Sequence, residues 1–427
     1  MAKPTSHVRE PLFHIAKRDQ MPLWKGLLVR AGAVAIALAL CGVLSYFVLD
    51  DDPFRIITVI RETFAAYAED SSMSIVALAT KLVVGVLGAT IKTLVNVIFI
   101  PLNYYKTMIS GVFGTSRMLW KMAKDLAVLL CIALAVTPAF KMKFWNIGAE
   151  GQVLISCLAS VACVIYFGGK IPEWALIICM AAAAMLAGAI WAVIPAIFKA
   201  IWNTNETLFT LMMNYVASSL VAYFLIIWVP SGNSSLGQLP YGHLPTIGGI
   251  LDGVAEGLGG LVDKFGYLLL ILIVAALTVS MFIYLKHSKQ GYEISVVGES
   301  QKTASYIGIN VKKVIIRTLI ISGALCGIAG FLIVSGLDHS ITPTTVGGKG
   351  FTAIIVSWLA KFNPFTMIGT SFILVFLQQG SSEVVSAFGV PTPLPDVVTG
   401  IILFFIIGCE FFINYRVIFR KKEGKKR

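Results

Sequence analysis

Two glycine-containing segments hold the ionisable and amide side chains that could contact a polar solute. The first runs from Asn146 to Gln152 and contains Glu150, and the second surrounds Lys349 with glycines. Both segments interrupt long apolar runs. A charged side chain inside a bilayer is costly and usually faces a polar interior. Asn146, Glu150, Gln152 and Lys349 are therefore candidates for the wall of a solute path.

Structural roles compete with this interpretation. Glu150 could cap the helix that follows it, and Lys349 could lie near the outer surface. Asn146 and Gln152 could satisfy backbone groups that the interrupted helices leave unpaired. The residues alone leave both interpretations open.

A further polar group opens a later apolar run. Asn205 and Glu206 stand at the start of this run, and Asn214 lies deeper on the same predicted helix. Capping by Asn205, with Glu206 complementing the helix dipole, is the simpler explanation of the first two. Contact with a solute is the alternative, and Asn214 could face the same path.

Membrane helices must position these residues. Hydrophobic residues make up 57% of the 427 and charged residues 13%, against about 25% charged residues in soluble domains. Several apolar runs are long enough to cross about 30 Å of hydrocarbon. The composition excludes a soluble enzyme, a disordered chain and a secreted disulfide scaffold. It predicts an all-α polytopic membrane protein.

The charge distribution predicts the topology. Most of the net charge of +12 lies in three basic clusters, which are the segment 1–26, the loop 286–313 and the tail 419–427. The positive-inside rule places all three in the cytoplasm, and about ten crossings within residues 27–418 satisfy this arrangement. No folded polar domain remains to bind nucleic acid, so the basic residues are expected beside membrane lipids.

Ten spans can be drawn on this basis. Spans two to five then run opposite to spans seven to ten, as in an inverted repeat of four-helix units with a path between its halves. The two glycine-containing segments fall in different halves. The predicted spans are 27–49, 126–140, 146–167, 174–198, 205–229, 266–285, 314–336, 341–360, 364–383 and 397–418.

One apolar segment does not fit the count. Residues 75–101 are apolar enough to cross, but a crossing there would put the loop 286–313 outside. We therefore predict a helix in the membrane interface, or one packed sideways through its glycines, with a re-entrant hairpin as the alternative. Its small and polar residues share one helical stripe: Lys81, Gly85, Gly88, Lys92, Asn96 and Asn103.

The loop 286–313 contains a short predicted helix between Gly298 and Gly308. Ala304 and Ile307 give this helix a small apolar face. A cytoplasmic helix of this kind suits docking into a groove of a partner protein. A solvated connector is the alternative.

Four ordered blocks of the sequence resemble the permease subunits of ABC importers, and the nucleoside-type branch most closely, a relative of the ribose and branched-chain amino acid permeases. The blocks are Phe144–Gln152, Asn205–Tyr215, Gly291–Asn310 with Ser322–Gly330, and Gly348–Ala360 with Asn363-Pro364. The chain departs from the family pattern at residues 54–98.

The resemblance implies one half of an importer in a bacterial plasma membrane, with nucleosides as the solute. It implies that Asn146–Gln152 lies on the translocation route. It also makes Gly298–Gly308, which includes Glu299, the coupling helix that contacts an ATPase. A second permease subunit, identical or homologous, and an extracellular substrate-binding lipoprotein are the other expected partners.

The sequence contains no GxxxxGK[ST] loop, so ATP and magnesium are expected on the partner ATPase. We expect no catalytic residue, metal site or cofactor in this chain, and hence no enzyme activity of its own. Importers of ribose-like sugars or branched-chain amino acids are the first alternative. An ion-coupled secondary transporter that uses Glu150 and Glu206 is the second.

Overall fold

The structure, a computed structural model, describes residues 13–17, 23–69, 74–229, 236–244, 268–389 and 393–419. Helices dominate these residues, which confirms the all-α class. The elements in chain order are β1 (Phe13–Lys17), α1 (Leu23–Leu49), α2 (Arg55–Glu69), α3 (Ile75–Phe113), α4 (Ser116–Lys141), α5 (Ala149–Phe167), α6 (Glu173–Trp202), α7 (Glu206–Trp228), α8 (Leu268–His287), α9 (Lys289–Glu299), α10 (Gln301–Tyr306), α11 (Val311–Leu332), a π-helical turn (Ile333–Asp338), α12 (Lys349–Leu359), α13 (Pro364–Phe388), α14 (Leu394–Asn414) and β2 (Tyr415–Phe419).

Within the described ranges, nine helices are long and apolar enough to cross a membrane. They are α1, α3 to α8, α11 together with the π-helical turn, and α14. Helix α13 covers the predicted span 364–383. Helix α12 has only 11 residues, so the predicted span 341–360 is an interrupted segment that ends in a half-length helix.

The chain forms two compact units, one of Met1–Gly114 with Leu377–Arg427 and the other of Thr115–Phe376. In the first unit, β1 and β2 pair antiparallel, with Phe13 opposite Phe419. Strand β1 precedes α1, and β2 follows α14. Because the two strands pair, the chain enters α1 and leaves α14 on the same side of the unit. An even number of crossings between them follows. The N-in/C-in orientation and the inverted repeat stay predictions.

The segment 75–101 belongs to α3, a helix of 39 residues that is about 58 Å long. It continues without a break, so the re-entrant hairpin is wrong. Part of the predicted stripe makes contacts: a Cβ at Gly85 would lie 2.9 Å from Val59 on α2, and Asn96 donates to Asp50 at 3.0 Å. The rest of the stripe is exposed, namely Lys81, Gly88, Lys92 and Asn103.

A buried carboxylate ties α2 and α3 to the end of α1. The Asp50 side chain is 2% exposed and pairs with Arg55 at 2.8 Å. Burial opposes ionisation of Asp50, but the hydrogen bonds from Asn96, the Asp52 amide and Arg55 outweigh it and lower its pKa below the usual 3.8. Helices α2 and α3 are thus held by polar contacts with Asp50 as well as by apolar packing.

In the second unit, α6 and α11 pack through small residues. A Cβ at Gly323 would lie 2.3 Å from the Gly188 carbonyl oxygen, and one at Gly327 would lie 2.5 Å from the Ala184 carbonyl oxygen. Small residues allow the close backbone approach that stabilises helix pairs in membranes. This pair forms part of the frame around the two interrupted segments.

Candidate functional site

The connector between α4 and α5 is held in place by α7. Thr210 Oγ1 accepts a hydrogen bond from the Ile147 amide at 3.2 Å. Asn214 Oδ1 accepts from the Gly151 amide at 2.9 Å, and its Nδ2 donates to the Ile147 carbonyl at 3.0 Å. These side chains satisfy backbone groups that the interrupted helix leaves unpaired.

Asn146 in this connector and Gln152 near the start of α5 form a buried amide pair. Gln152 Nε2 donates to Asn146 Oδ1 at 3.3 Å, and the Gly148 amide donates to the same oxygen at 3.1 Å. The two side chains are 0% and 1% exposed. Among the described residues, Asn146 Nδ2 and Gln152 Oε1 make no hydrogen bond. The pair therefore supports the backbone and also retains one donor and one acceptor.

Glu150 caps a helix, but not the helix that it opens. Its Oε1 accepts from the Gly348 amide at 2.8 Å, and its Oε2 accepts from the Gly350 amide at 2.7 Å, both at the start of α12. Gly347 and Gly348 have φ values of 60° and 76°, which glycine adopts without strain. One carboxylate at the start of α5 thus binds the amino end of the second interrupted segment, where the helix dipole favours a negative charge.

Lys349 forms an ion pair with Asp125 on α4. Its Nζ lies 3.0 Å from Oδ1 of Asp125, and the two side chains are 21% and 22% exposed. Asp338, at the end of the π-helical turn, lies close enough to interact with both. The charges of Lys349 and Asp125 are therefore paired within the second unit.

Asn205 and Glu206 lie at the turn between α6 and α7 and take no part in the contacts around Glu150. Asn205 Oδ1 accepts from the Thr207 and Leu208 amides, at 3.1 and 3.3 Å, which confirms the capping role. Glu206 pairs with Lys199 at 2.8 Å. A place for these two residues on a solute path stays a prediction without a structural contact to support it.

The structure thus brings together five of the predicted path residues and separates two. The five are Asn146, Glu150, Gln152, Asn214 and Lys349. Sequence analysis missed Asp125 and Thr210. Asp125 had a visible signal, because it is an acidic residue at the edge of an apolar run. Thr210 had none, since a threonine on a membrane helix commonly bonds its own backbone, as Thr210 also does with the Glu206 carbonyl at 2.7 Å.

The loop 286–313 forms α9 and α10 at one end of the second unit. Lys141, at the end of α4, donates to the Leu285 carbonyl at 3.2 Å. Ser288, Ser300 and Asn310 cap α9, α10 and α11 in turn. The end of α4 and this basic loop therefore lie on the same side, as the topology predicted.

The predicted docking face of this loop needs correction. Ala304 is 0% exposed and packs in a cluster with Phe144 and Val297, while a Cβ at Gly298 would lie 2.2 Å from the Lys141 carbonyl oxygen. These residues anchor the loop to its own chain and present nothing to a partner. Of the predicted coupling residues, Glu299, Ile307 and Gly308 are exposed, and the neighbouring Tyr306 is 95% exposed.

Residues 118–407 match the family described as the permease component of branched-chain amino acid transport systems. The chain is 30% identical over 328 residues to a glucose ABC transporter permease protein of Haloferax volcanii, covering 74% of this chain and 83% of that protein.

Two further relatives carry nucleoside names. A guanosine ABC transporter permease protein of Bacillus subtilis is 27% identical over 75% of this chain and 89% of its own length. A nucleoside ABC transporter permease protein of Lactococcus lactis is 25% identical over 72% of this chain and 83% of its own length. No solved structure matches the chain.

Proposed function

The chain belongs to the family of branched-chain amino acid transport permease components, and on that premise we propose that it is the permease subunit of an ATP-driven importer of nucleosides. It is a multi-pass membrane protein, and its relatives are permease proteins of ABC transporters.

One observation carries the proposed path: Glu150 joins the two interrupted segments through the amides of Gly348 and Gly350. Non-helical backbone at membrane depth is tolerated where protein or a watery cavity surrounds it. Interrupted helices commonly form the solute sites of transporters. Two such segments meet here within one unit.

The chemistry of this region favours a neutral solute with hydrogen-bonding groups. Glu150 is occupied by two backbone amides, and Lys349 is paired with Asp125. Asn146 Nδ2 and Gln152 Oε1 retain one donor and one acceptor. A nucleoside offers hydroxyl groups and a base edge that could bond both atoms once the path opens. The names of two relatives agree with this class of solute.

Glucose is the second candidate, because one relative at 30% identity is named for it. Glucose is also neutral and rich in hydroxyl groups, so the paired charges suit it as well. It lacks the planar base of a nucleoside. A direct comparison of these two solutes therefore decides between the candidates.

The proposed partners follow from the permease role. A cytoplasmic ATPase, which holds ATP and magnesium, would dock at the end of α10, where Tyr306 and the following Ile307 are 95% and 55% exposed. A second permease subunit and an extracellular substrate-binding lipoprotein would complete the importer. The free energy of ATP hydrolysis would then be transmitted to the solute path through α9 and α10. These two helices pack on the end of α4, next to the connector between α4 and α5.

ATP hydrolysis by the reconstituted complex tests the proposal. The chain is placed in nanodiscs with its ATPase, second permease and binding protein, and hydrolysis is measured with guanosine, uridine, glucose or leucine. We expect nucleosides to stimulate hydrolysis several-fold over the rate without solute. Stimulation by glucose alone would replace the nucleoside assignment, and no response to any nucleoside would refute it.

A further inference from the structure

A short stretch of the connector between α7 and α8 is fastened to the π-helical turn. The Leu239 amide donates to the His339 carbonyl at 2.9 Å, and the Leu244 amide donates to the Ser335 carbonyl at 2.8 Å. π-Helical turns often occur at functional sites. His339 itself has a φ of 50°, a left-handed conformation that is uncommon for residues other than glycine. The stretch 236–244 therefore rests on a distorted segment.

Two imidazole rings complete this attachment. His243 Nδ1 lies 2.9 Å from His339 Nδ1, and His243 Nε2 lies 2.9 Å from the Leu239 carbonyl oxygen. A carbonyl oxygen only accepts, so His243 Nε2 carries a proton. When both rings are neutral, His243 Nδ1 accepts and His339 Nδ1 donates.

The contact between the two rings exists only in some of their protonation states. One added proton can be accommodated, because His243 Nδ1 can donate while His339 moves its own proton to Nε2. With two added protons, both Nδ1 atoms carry hydrogen and both rings are positive. The hydrogen bond is then lost, and two like charges face each other.

Groups around the rings further disfavour simultaneous protonation of both histidines. Burial, followed by the neighbouring His243 and Lys124 on α4, holds the pKa of His339 below its ordinary 6.5, although a hydrogen bond to the Val334 backbone opposes this shift. Asp338, next to His339, is itself surrounded by Asp125, Lys124 and Lys349. Because the pKa of His339 is lower in the closed arrangement than in an open one, closure is fully favoured above about pH 6.5. It weakens as the pH falls below that value and is lost once both rings are protonated.

We propose that His243 and His339 form a proton-released latch, which holds the stretch 236–244 on the π-helical turn at neutral pH and releases it in acid. The latch adjoins Asp338, and Asp338 interacts with Lys349 at the start of α12. Release would free the turn that leads into the second interrupted segment. Acid pH is then sensed within the membrane protein itself, whichever solute it carries.

Amide hydrogen exchange of the full chain in nanodiscs tests the latch without measuring transport. Exchange in peptides containing Leu239 and Leu244 is followed from about pH 8 to about pH 5, the range over which histidine titrates, after correction for intrinsic exchange. We expect at least a tenfold loss of protection across this range, with little change in the core of α11. Protection that is independent of pH would overturn the proposal.

Two variants and a matched control separate the latch from general stability. His339→Asn retains a residue type that tolerates the left-handed conformation, and His243→Gln alters the other ring. Both should lower protection at neutral pH and remove most of its pH dependence. His287→Gln, at the end of α8, should behave as the unchanged protein. Unaltered pH dependence in both latch variants would contradict the assignment.

Discussion

The carboxylate of Glu150 at the start of α5 accepts a 2.7 Å hydrogen bond from the backbone amide of Gly350 at the start of α12, a residue 200 positions later in the chain. A Cβ at Gly350 would lie 2.5 Å from the Glu150 amide nitrogen, so the two backbones are also in close contact. The junction of the interrupted segments thus depends on the Glu150 carboxylate and on the absence of a side chain at Gly350.

Replacing Glu150 tests the side-chain part of this junction. Glu150→Ala removes two hydrogen bonds to a charged group, each worth about 1.5–3 kcal/mol, and leaves the Gly348 and Gly350 amides unpaired. We expect a clear fall in the thermal unfolding midpoint in nanodiscs and loss of uptake. Glu150→Gln can accept only one of the two bonds and should lie between the unchanged protein and Glu150→Ala. Equal unfolding midpoints for all three proteins would contradict the capping role.

Replacing Gly350 tests the backbone contact. In Gly350→Ala, the new methyl group would collide with Glu150, and overpacking of this kind costs about 1–3 kcal/mol. We expect a lower unfolding midpoint and weaker uptake. Gly369→Ala on α13 is the matched control, because nothing lies within 4 Å of a Cβ there. A Gly350→Ala protein as stable and active as the control would show that the close approach is unimportant.

Asn214 should be needed for the connector between α4 and α5. Asn214→Ala leaves the Gly151 amide and the Ile147 carbonyl without this partner, and an unpaired buried polar group costs about 1–3 kcal/mol. Asn214→Asp keeps the acceptor for Gly151 but loses the donor to Ile147. We expect faster hydrogen exchange at residues 147–151 in both variants, with the larger effect in Asn214→Ala. Unchanged exchange in Asn214→Ala would exclude the supporting role.

The exposed side of α10 should bind the ATPase. Tyr306→Ala removes a side chain that is 95% exposed, so the fold should be preserved while copurification of the ATPase falls by tenfold or more. Tyr215→Ala, on α7, removes a tyrosine that is 64% exposed and should retain the ATPase. Ala304→Asp should instead destabilise the loop, because Ala304 is buried against its own chain. Full ATPase retention by Tyr306→Ala would contradict the docking face.

Much of the fold could be predicted because its signals are local. Apolar runs of membrane-spanning length marked most of the long helices, and the glycines around Lys349 marked the start of the half-length helix α12. Asn205 at the start of α7 was recognised as a cap from residue type and position alone. Each of these features depends on residues within one or two helical turns.

The contacts of the site could not be predicted because they are distant in sequence. Nothing near Glu150 indicates that its partners lie at Gly348 and Gly350. The burial of Ala304 depends on residues of four other helices, and a six-residue helix is too short to show a reliable periodicity. The contact of α3 with Asp50 could not be predicted either, because sequence periodicity does not show which neighbour a long apolar helix meets.

Uptake by reconstituted vesicles tests the proposed function most directly. Proteoliposomes containing the complete importer are loaded with ATP on the side of the ATPase, and entry of labelled guanosine is measured with unlabelled guanosine, glucose or leucine as competitor. We predict ATP-dependent guanosine uptake that unlabelled guanosine abolishes, that glucose and leucine leave unchanged, and that Glu150→Ala eliminates. Guanosine entry that is absent, independent of ATP, or displaced by glucose would contradict a nucleoside importer.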